Sequence, residues 1–191
     1  GLSALLSLIA FYEVGLNQGK CIFTLMPWIN ADLFNVSWGF LFDTLSVSIL
    51  VVVTFISFFV HLYSIEYIGN DPHLSRFISY LSLFTFFILI LVSADNFLQI
   101  FVGWEGVGLC SYLLINFWFT RIQANKAAIK AILVNRIGDF GLALGIFTVF
   151  ICFDSIDYSL VFGLAPALKG QTFYFGGIYF DTLNLIGVLL F

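Results

Sequence analysis

One long apolar stretch of this sequence carries a full charge near its centre. Residues 96–119, read NFLQIFVGWEGVGLCSYLLINFWF, can cross a lipid bilayer, for which about 20 apolar residues suffice. Glu105 interrupts the stretch about 13 Å from its start, at roughly 1.5 Å per helical residue. A charge at that depth costs on the order of 2.5–3.5 kcal/mol on insertion scales. Because helix packing does not require this carboxylate, we interpret the rest of the chain as its surroundings.

The composition indicates an integral membrane protein. Hydrophobic residues fill 61% of the 191 positions and charged residues only 9%, whereas a soluble domain carries about 25% charge. The net charge of −4 argues against a nucleic-acid partner. Cys21, Cys110 and Cys152 form no CxxC pair, and His61 and His73 flank one short loop. We therefore expect no metal site, haem, iron–sulfur cluster or disulfide framework.

The apolar runs predict an all-α, polytopic helix bundle with about six membrane segments. These cover residues 1–12, 41–63, 77–92, 96–119, 125–153 and 180–191. We expect the first and last segments to be truncated, so that 1–191 is a single membrane domain within a longer protein. Residues 13–39 and 154–177 are predicted connections, the first with a small hairpin around Asn30-Ala31-Asp32. Asp95 or Asn96 is expected to cap the segment of Glu105.

The bases in the connections are distributed unequally between the two sides of the membrane. One side is predicted to hold Arg76, Arg121, Lys126 and Lys130, and the other only Lys20 and Lys169. The positive-inside rule orients the richer side toward the cytoplasm or the matrix of a mitochondrion. Residues 13–39 and 154–177 then face outward. Lys126 and Lys130 are interpreted as bases at the membrane interface, with their methylene groups along apolar surface and their ammonium groups in water.

A second pair of charges lies within a predicted span. Arg136 and Asp139 are three residues apart in segment 125–153, so they share a helix face. Asp139 lies about 20 Å into this segment, and Glu105 lies about 20 Å from the inner end of its own. If the two helices pack antiparallel, Arg136 can balance either carboxylate. The alternatives are a proton-exchanging site, a structural ion pair at Glu105, and a purely local Arg136–Asp139 pair.

His61 is a further candidate near the inner end of its segment. Tyr63, Glu66 and Tyr67 follow it within two helical turns. A proton-relay role is one interpretation of His61, and an interfacial aromatic belt explains the tyrosines without any such role. Gly138, Gly141 and Gly145 form a small-residue face, with a GxxxG at 141–145, for which close helix packing is the preferred interpretation.

Four motifs follow one another along the chain in the order typical of one family. They are WGFLFDTLSVSIL at 38–50, HLYSIEYIGNDP at 61–72, WEGVGLCSYLLINFW at 104–118 and NKAAIKAILVNRIGDFGLALG at 125–145. Together they resemble the antiporter-like membrane proteins of respiratory complex I, in particular the subunit-5 group of mitochondria. The resemblance extends over most of the chain, and the motif at 104–118 is the most specific.

The resemblance implies a multi-pass subunit of the mitochondrial inner membrane that moves protons while NADH passes electrons to ubiquinone. Such a subunit belongs to an enzyme but binds no redox cofactor itself. NAD, FMN, iron–sulfur clusters and ubiquinone are expected in other subunits. Expected partners are the other membrane-arm subunits, especially the neighbouring antiporter-like subunit, and lipids, with no nucleic acid.

The same resemblance assigns roles to three residues of this chain. Glu105 matches the family's key glutamate, which pairs with a lysine on a broken helix beyond residue 191. Asp139 and Arg136 match a second functional acid and its basic neighbour. Two other functions remain open: a stand-alone Mrp-type cation/proton antiporter, and a structural subunit that has lost pumping. The presence of all three charged residues disfavours the second of these.

The charge asymmetry predicts the sidedness of the loops. In otherwise cysteine-free protein in sealed vesicles, Thr120→Cys should react with an impermeant thiol reagent from the inner side, and Ser159→Cys from the outer side. Labelling of Thr120→Cys from the outer side would contradict the predicted orientation.

Overall fold

The computed structural model describes residues 1–17, 19–31, 34–69, 71–175 and 178–191. Within them the chain forms helices and two β-hairpins. The helices are α1 (Leu2–Ala10), α2 (Thr44–Tyr67), α3 (Leu74–Ser93), α4 (Phe97–Ile115), α5 (Ile122–Phe153), α6 (Tyr158–Leu164) and α7 (Thr182–Leu190). A π-helical turn, Phe11–Leu16, continues α1, and a 3₁₀ turn, Ala165–Leu168, continues α6. The hairpins pair β1 (Cys21–Ala31) with β2 (Phe34–Phe42), and β3 (Thr172–Phe175) with β4 (Ile178–Asp181).

Helices α2 to α5 are long and apolar enough to cross a membrane. The shorter apolar helices α1 and α7 lie in the first and last predicted segments. The predicted polytopic helix bundle is therefore confirmed, with the two hairpins as additional β structure.

Side-chain caps set the starts of two spanning helices. Helix α2 begins at Thr44 rather than at residue 41, because β2 extends to Phe42. Asp43 Oδ1 accepts from the Ser46 N–H at 2.7 Å, and Ser46 Oγ accepts from the Asp43 N–H at 2.8 Å, which forms a capping box. Helix α4 begins after Asn96, whose Oδ1 accepts from the Gln99 N–H at 2.8 Å. Of the two predicted caps, Asn96 is therefore the one that fills this position.

The hairpin of β1 and β2 lies in the connection where the sequence predicted one. The strands pair from Cys21↔Phe42 to Ala31↔Phe34. Asp32, which the sequence placed in the turn, lies outside the described residues. Val36 is 2% exposed and packs with Ile146 of α5 and with Ile156, so the hairpin is fixed against the end of α5.

The prediction of a plain connection at 154–177 is wrong. Helix α6, its 3₁₀ turn and β3 occupy most of it, while Gly176 and Gly177 lie outside the described part of the chain. Helix α6 forms here because its apolar side is covered. Val161 is buried against Val149 and Phe153 of α5 and Ile186 of α7.

Helix α4 packs between α3 and α5, and glycines permit its close approach to α3. A Cβ at Gly103 would lie 2.7 Å from the Leu91 Cα, and a Cβ at Gly106 would overlap the Phe87 ring. On α5, Gly141 and Gly145 face α7, where a Cβ at Gly145 would lie 2.7 Å from Leu190 Cδ2. The predicted small-residue face therefore packs against a helix at two of its three glycines, since nothing lies within 4 Å of a Cβ at Gly138.

Gly103→Ala should destabilise the protein by about 1–3 kcal/mol, because the new methyl group meets backbone atoms of α3 and forces the helices apart. Gly163→Ala on α6 is the control, since nothing lies within 4 Å of a Cβ there. The measurement is the melting temperature of the purified full-length protein. Equal melting temperatures for the two variants would show that the α3–α4 contact tolerates a methyl group.

Candidate functional site

Glu105 on α4 and two residues of α5 form one charged cluster. Arg136 Nη1 lies 2.7 Å from Glu105 Oε1 and 3.8 Å from Asp139 Oδ2. The Glu105 side chain is 28% exposed, that of Asp139 8% and that of Arg136 63%. The structure thus brings together three residues that the sequence selected, with Arg136 hydrogen-bonded to Glu105.

Neighbouring glycines direct Glu105 toward α5. Gly103 and Gly106 lie on the side of α4 that is buried against α3. Where α4 contacts α5, a Cβ at Gly108 would lie 3.3 Å from Nδ2 of Asn135, the residue before Arg136. Close approach on both sides of α4 leaves the Glu105 side chain within reach of the Arg136 guanidinium.

One guanidinium serves both carboxylates. Within the described residues, Arg136 is the base that lies within 4 Å of Glu105 or Asp139. Two carboxylates and one guanidinium leave one excess negative charge when all three groups are ionised. An excess charge within a span is unfavourable unless a further cation or a proton neutralises it. The cluster therefore has the charge balance of a site that binds a proton.

His61 lies apart from this cluster, between α2 and α3. Its Nδ1–H donates to the Ser57 carbonyl oxygen at 2.7 Å, so its Nε2 is free to accept from the Ser82 hydroxyl at 3.2 Å. The Ser57 and Thr85 hydroxyls lie 2.7 Å apart. A cavity of about 390 Å³ opens beside these groups. The sequence predicted a role for His61 but not for these hydroxyls. The spacing that could have indicated them is Ser57 one helical turn before His61, and Ser82 three residues before Thr85 on the next helix.

A second polar cluster joins the start of α4 to the end of α5, and the sequence did not indicate it. The Phe97 N–H donates to the Ile156 carbonyl at 3.1 Å, and the Tyr158 N–H donates to the Asp95 carbonyl at 3.2 Å. This pairing of two connections places Asp95 and Asp157 in one cleft. No spacing in the sequence indicates it, because the two residues are far apart along the chain.

Burial is the main cause of the pKa shifts in the cluster of Asp95, Asp157 and Tyr158. It raises the pKa of the Asp95 carboxyl, a hydrogen bond from Asn96 Nδ2 at 2.6 Å opposes that shift, and the charge of Asp157 adds to it. Burial likewise raises the pKa of Asp157. Burial, together with the charge of Asp95, raises the pKa of the Tyr158 phenol. Lys20 lines the same cleft.

In the part of the chain that the structure describes, no three His, Cys, Asp or Glu residues lie close enough together to hold a metal ion. Cys21, Cys110 and Cys152 are free thiols on separate elements. The expectation that this chain carries no redox centre thus stays a prediction.

Comparisons with known proteins agree with the motifs. Residues 28–78 match the family model for the N-terminus of NADH–ubiquinone oxidoreductase (complex I) chain 5. Residues 94–188 match the model for the membrane region of NADH:quinone oxidoreductases and Mrp antiporters.

Curated relatives named NADH-ubiquinone oxidoreductase chain 5 are similar over nearly the whole chain. Identity is 59% over 189 residues with that of Triticum aestivum and 58% over 189 residues with that of Chondrus crispus. In each case 99% of this chain is covered, and the chain spans 28% of the relative's length.

Arg136→Gln should destabilise the protein on the order of 1–3 kcal/mol, because it leaves two neighbouring carboxylates without a cation. The loss should shrink in a Glu105→Gln background, where one of the two carboxylates is neutral. Lys130→Gln, an exposed base on the same helix, is the control. If the melting temperature falls equally for Arg136→Gln and Lys130→Gln, the guanidinium does not hold this cluster together.

Proposed function

Because this chain belongs to the family of NADH–ubiquinone oxidoreductase chain 5, we propose that it forms part of a proton path in the membrane arm of respiratory complex I. In this role it couples electron transfer from NADH to ubiquinone to proton translocation. The observation that supports the proposal most directly is the shared guanidinium of Arg136 between Glu105 and Asp139 inside two spanning helices.

The geometry suggests how this cluster handles a proton. The same nitrogen of Arg136 lies 2.7 Å from Glu105 and 3.8 Å from Asp139, so a small rotation of its side chain moves it between the two. While Arg136 bonds Glu105, the ionised carboxylate is stabilised. When Arg136 moves toward Asp139, Glu105 loses its counter-charge and takes up a proton. Return of Arg136 releases that proton, and Glu105 thus acts as the carrier.

His61 is proposed as a relay on the inner side of the membrane. A neutral imidazole that donates from one nitrogen and accepts at the other can pass a proton along a hydrogen-bonded chain. The Ser82 hydroxyl lies 3.2 Å from Nε2, and the Ser57 hydroxyl lies 3.3 Å from Nδ1 and 2.7 Å from the Thr85 hydroxyl. These hydroxyls supply such a chain next to a cavity that is large enough for water. Within the described residues, this series of hydrogen bonds does not extend to Glu105. His61 would therefore transfer protons in a different part of the path.

We further infer that the chain lies in the mitochondrial inner membrane and contacts other membrane-arm subunits, including the neighbouring antiporter-like subunit. We also infer that residues 1–191 ligate no redox group, and that NAD, FMN, iron–sulfur clusters and ubiquinone bind elsewhere in the complex. The scattered cysteines and histidines support this inference.

A stand-alone Mrp-type antiporter is the second candidate, because one matching family model includes Mrp antiporters. The match of residues 28–78 to complex I chain 5 favours the first candidate. Co-purification with NADH:quinone reductase activity would distinguish them.

Glu105→Gln tests the carrier role. It retains the shape of the side chain but removes its exchangeable proton, so the proton-to-electron ratio should fall strongly and the NADH:quinone rate should fall with it. Glu105→Asp keeps the acid and should retain more pumping than Glu105→Gln. Assembly on native gels should persist for both variants, because each keeps the polar contact with Arg136. Normal pumping with Gln at position 105 would refute the carrier role.

Asp139→Asn tests whether the two carboxylates act as one site. Groups that share a counter-ion show non-additive mutational effects. The loss of proton transfer from Asp139→Asn should therefore be smaller in a Glu105→Gln background than in the unsubstituted protein. Fully additive losses would mean that Asp139 is only a local partner of Arg136.

A further inference from the structure

We propose that Asp95 and Asp157 form a pH-sensitive clasp between the connection that precedes α4 and the connection that follows α5. The clasp holds the two connections together while at least one of the two carboxyls is protonated, and it loosens when both are ionised. Both residues lie outside the spanning helices and apart from the Glu105 cluster, so the proposal does not depend on the proton path.

Two backbone hydrogen bonds join the connections at the clasp. The Phe97 N–H donates to the Ile156 carbonyl at 3.1 Å, and the Tyr158 N–H donates to the Asp95 carbonyl at 3.2 Å. Together they form an isolated bridge rather than a longer ladder of strand pairs. A contact of this size opens locally at a lower free energy than the packed helices do, so neighbouring charges can shift its equilibrium.

The two carboxylates lie beside this bridge in one cleft of about 160 Å³. Asn96 Nδ2 donates to Asp95 Oδ1 at 2.6 Å, which fixes that carboxylate in the cleft. Asp95 Oδ2 lies directly against the backbone of Gly39 on β2, where a Cβ would overlap it. In the described part of the chain, no donor meets Asp95 Oδ2 or the Asp157 carboxylate. Both anions are therefore poorly compensated when they are ionised.

The other ionisable groups of the cleft do not cancel the repulsion between these anions. Lys20 lines the cleft, but among the described residues it forms no ion pair with either carboxylate within 4 Å. The Tyr158 phenol stays neutral, because burial and the charge of Asp95 raise its pKa. The strands β1 and β2 contribute uncharged residues to the cleft. Protonation of one carboxyl is thus the direct way to remove the repulsion.

The sign of the pH dependence follows from the linkage between protonation and closure. Burial raises the pKa of both carboxyls while the clasp is closed. In the open clasp, water reaches both groups and their pKa values return toward the ordinary range. Closure is therefore favoured fully below the ordinary carboxyl pKa, and this contribution is lost as the pH rises through the raised value. The clasp is closed in acid and loosens as the solution on its side of the membrane becomes alkaline.

The part of the fold that loosens is the connection after α5. On the other side of the clasp, β2 holds the first turn of α4 by two contacts of its own. Asn96 Nδ2 donates to the Ser37 carbonyl at 2.9 Å, and the Gly39 N–H donates to Gln99 Oε1 at 3.2 Å. Neither contact involves a titratable side chain. We therefore expect residues 154–158 to move while the start of α4 keeps its place.

Hydrogen–deuterium exchange of the full-length protein, purified in its native assembly, tests the clasp. The Phe97 and Tyr158 amides should exchange about tenfold faster near pH 9 than near pH 5, after correction for the intrinsic pH dependence of exchange. The Gln99 N–H donates to Asn96 Oδ1 at 2.8 Å and is the internal reference, whose corrected exchange should not change. Fragmentation that resolves single amides separates the three positions.

Substitutions identify the groups responsible. Asp157→Asn and Asp95→Asn each remove one of the two charges, so the bridge amides should remain protected at high pH. Lys20→Gln should enlarge the loosening at high pH, because it removes the cation that lines the cleft. Asp154→Asn is the matched control: this exposed residue lies in the same connection but does not line the cleft, and asparagine tolerates its φ of 52°. It should retain the pH dependence of the unsubstituted protein.

The unsubstituted protein provides a test that needs no variant to fold. The proposal is overturned if the corrected exchange of the Phe97 and Tyr158 amides does not change with pH, or if it slows as the pH rises. It is also overturned if Asp157→Asn and Asp95→Asn retain the full pH dependence, if Asp154→Asn abolishes it, or if Lys20→Gln reduces it.

Discussion

The contact between Arg136 and Glu105 is the interaction on which the arrangement of the central helices depends. A carboxylate within a spanning helix is unfavourable unless a counter-charge or a proton accompanies it. Arg136 supplies that counter-charge from the neighbouring helix at 2.7 Å, and Asp139 lies 3.8 Å from the same nitrogen. One cation thus faces two anions, and the structure shows it hydrogen-bonded to Glu105.

The rest of the fold holds α4 and α5 in position for this contact. Gly103 and Gly106 let α4 lie directly on α3, which fixes the face of α4 that points to α5. At the start of α4 and the end of α5, backbone hydrogen bonds join the connection before α4 to the connection after α5. At the other end, the aromatic connection of residues 117–119 carries Arg76 and Arg121. The two helices are thus tied at both ends, and the charged cluster lies between.

The polar groups of the chain fall into separate sites with different surroundings. The Glu105 cluster lies inside two spans, the hydrogen-bonded chain at His61 lies between α2 and α3, and Asp95 and Asp157 share a cleft outside the spans. Each site depends on a different contact between elements: α4 with α5, α2 with α3, and the two connections joined by backbone hydrogen bonds.

The sequence by itself determined the membrane spans and the charged residues within them, and it narrowed the cap of α4 to Asp95 or Asn96, because hydropathy, helical spacing and capping are local properties. It failed at residues 154–177, where tertiary burial of Val161 stabilises a short helix that the local pattern does not reveal. Only the tertiary structure decided that Arg136 hydrogen-bonds Glu105 rather than Asp139, that His61 meets hydroxyls of α3, and that Asp95 lies beside Asp157. Each of these contacts joins residues on different elements, and their distances depend on how the helices pack, which no spacing along the chain specifies.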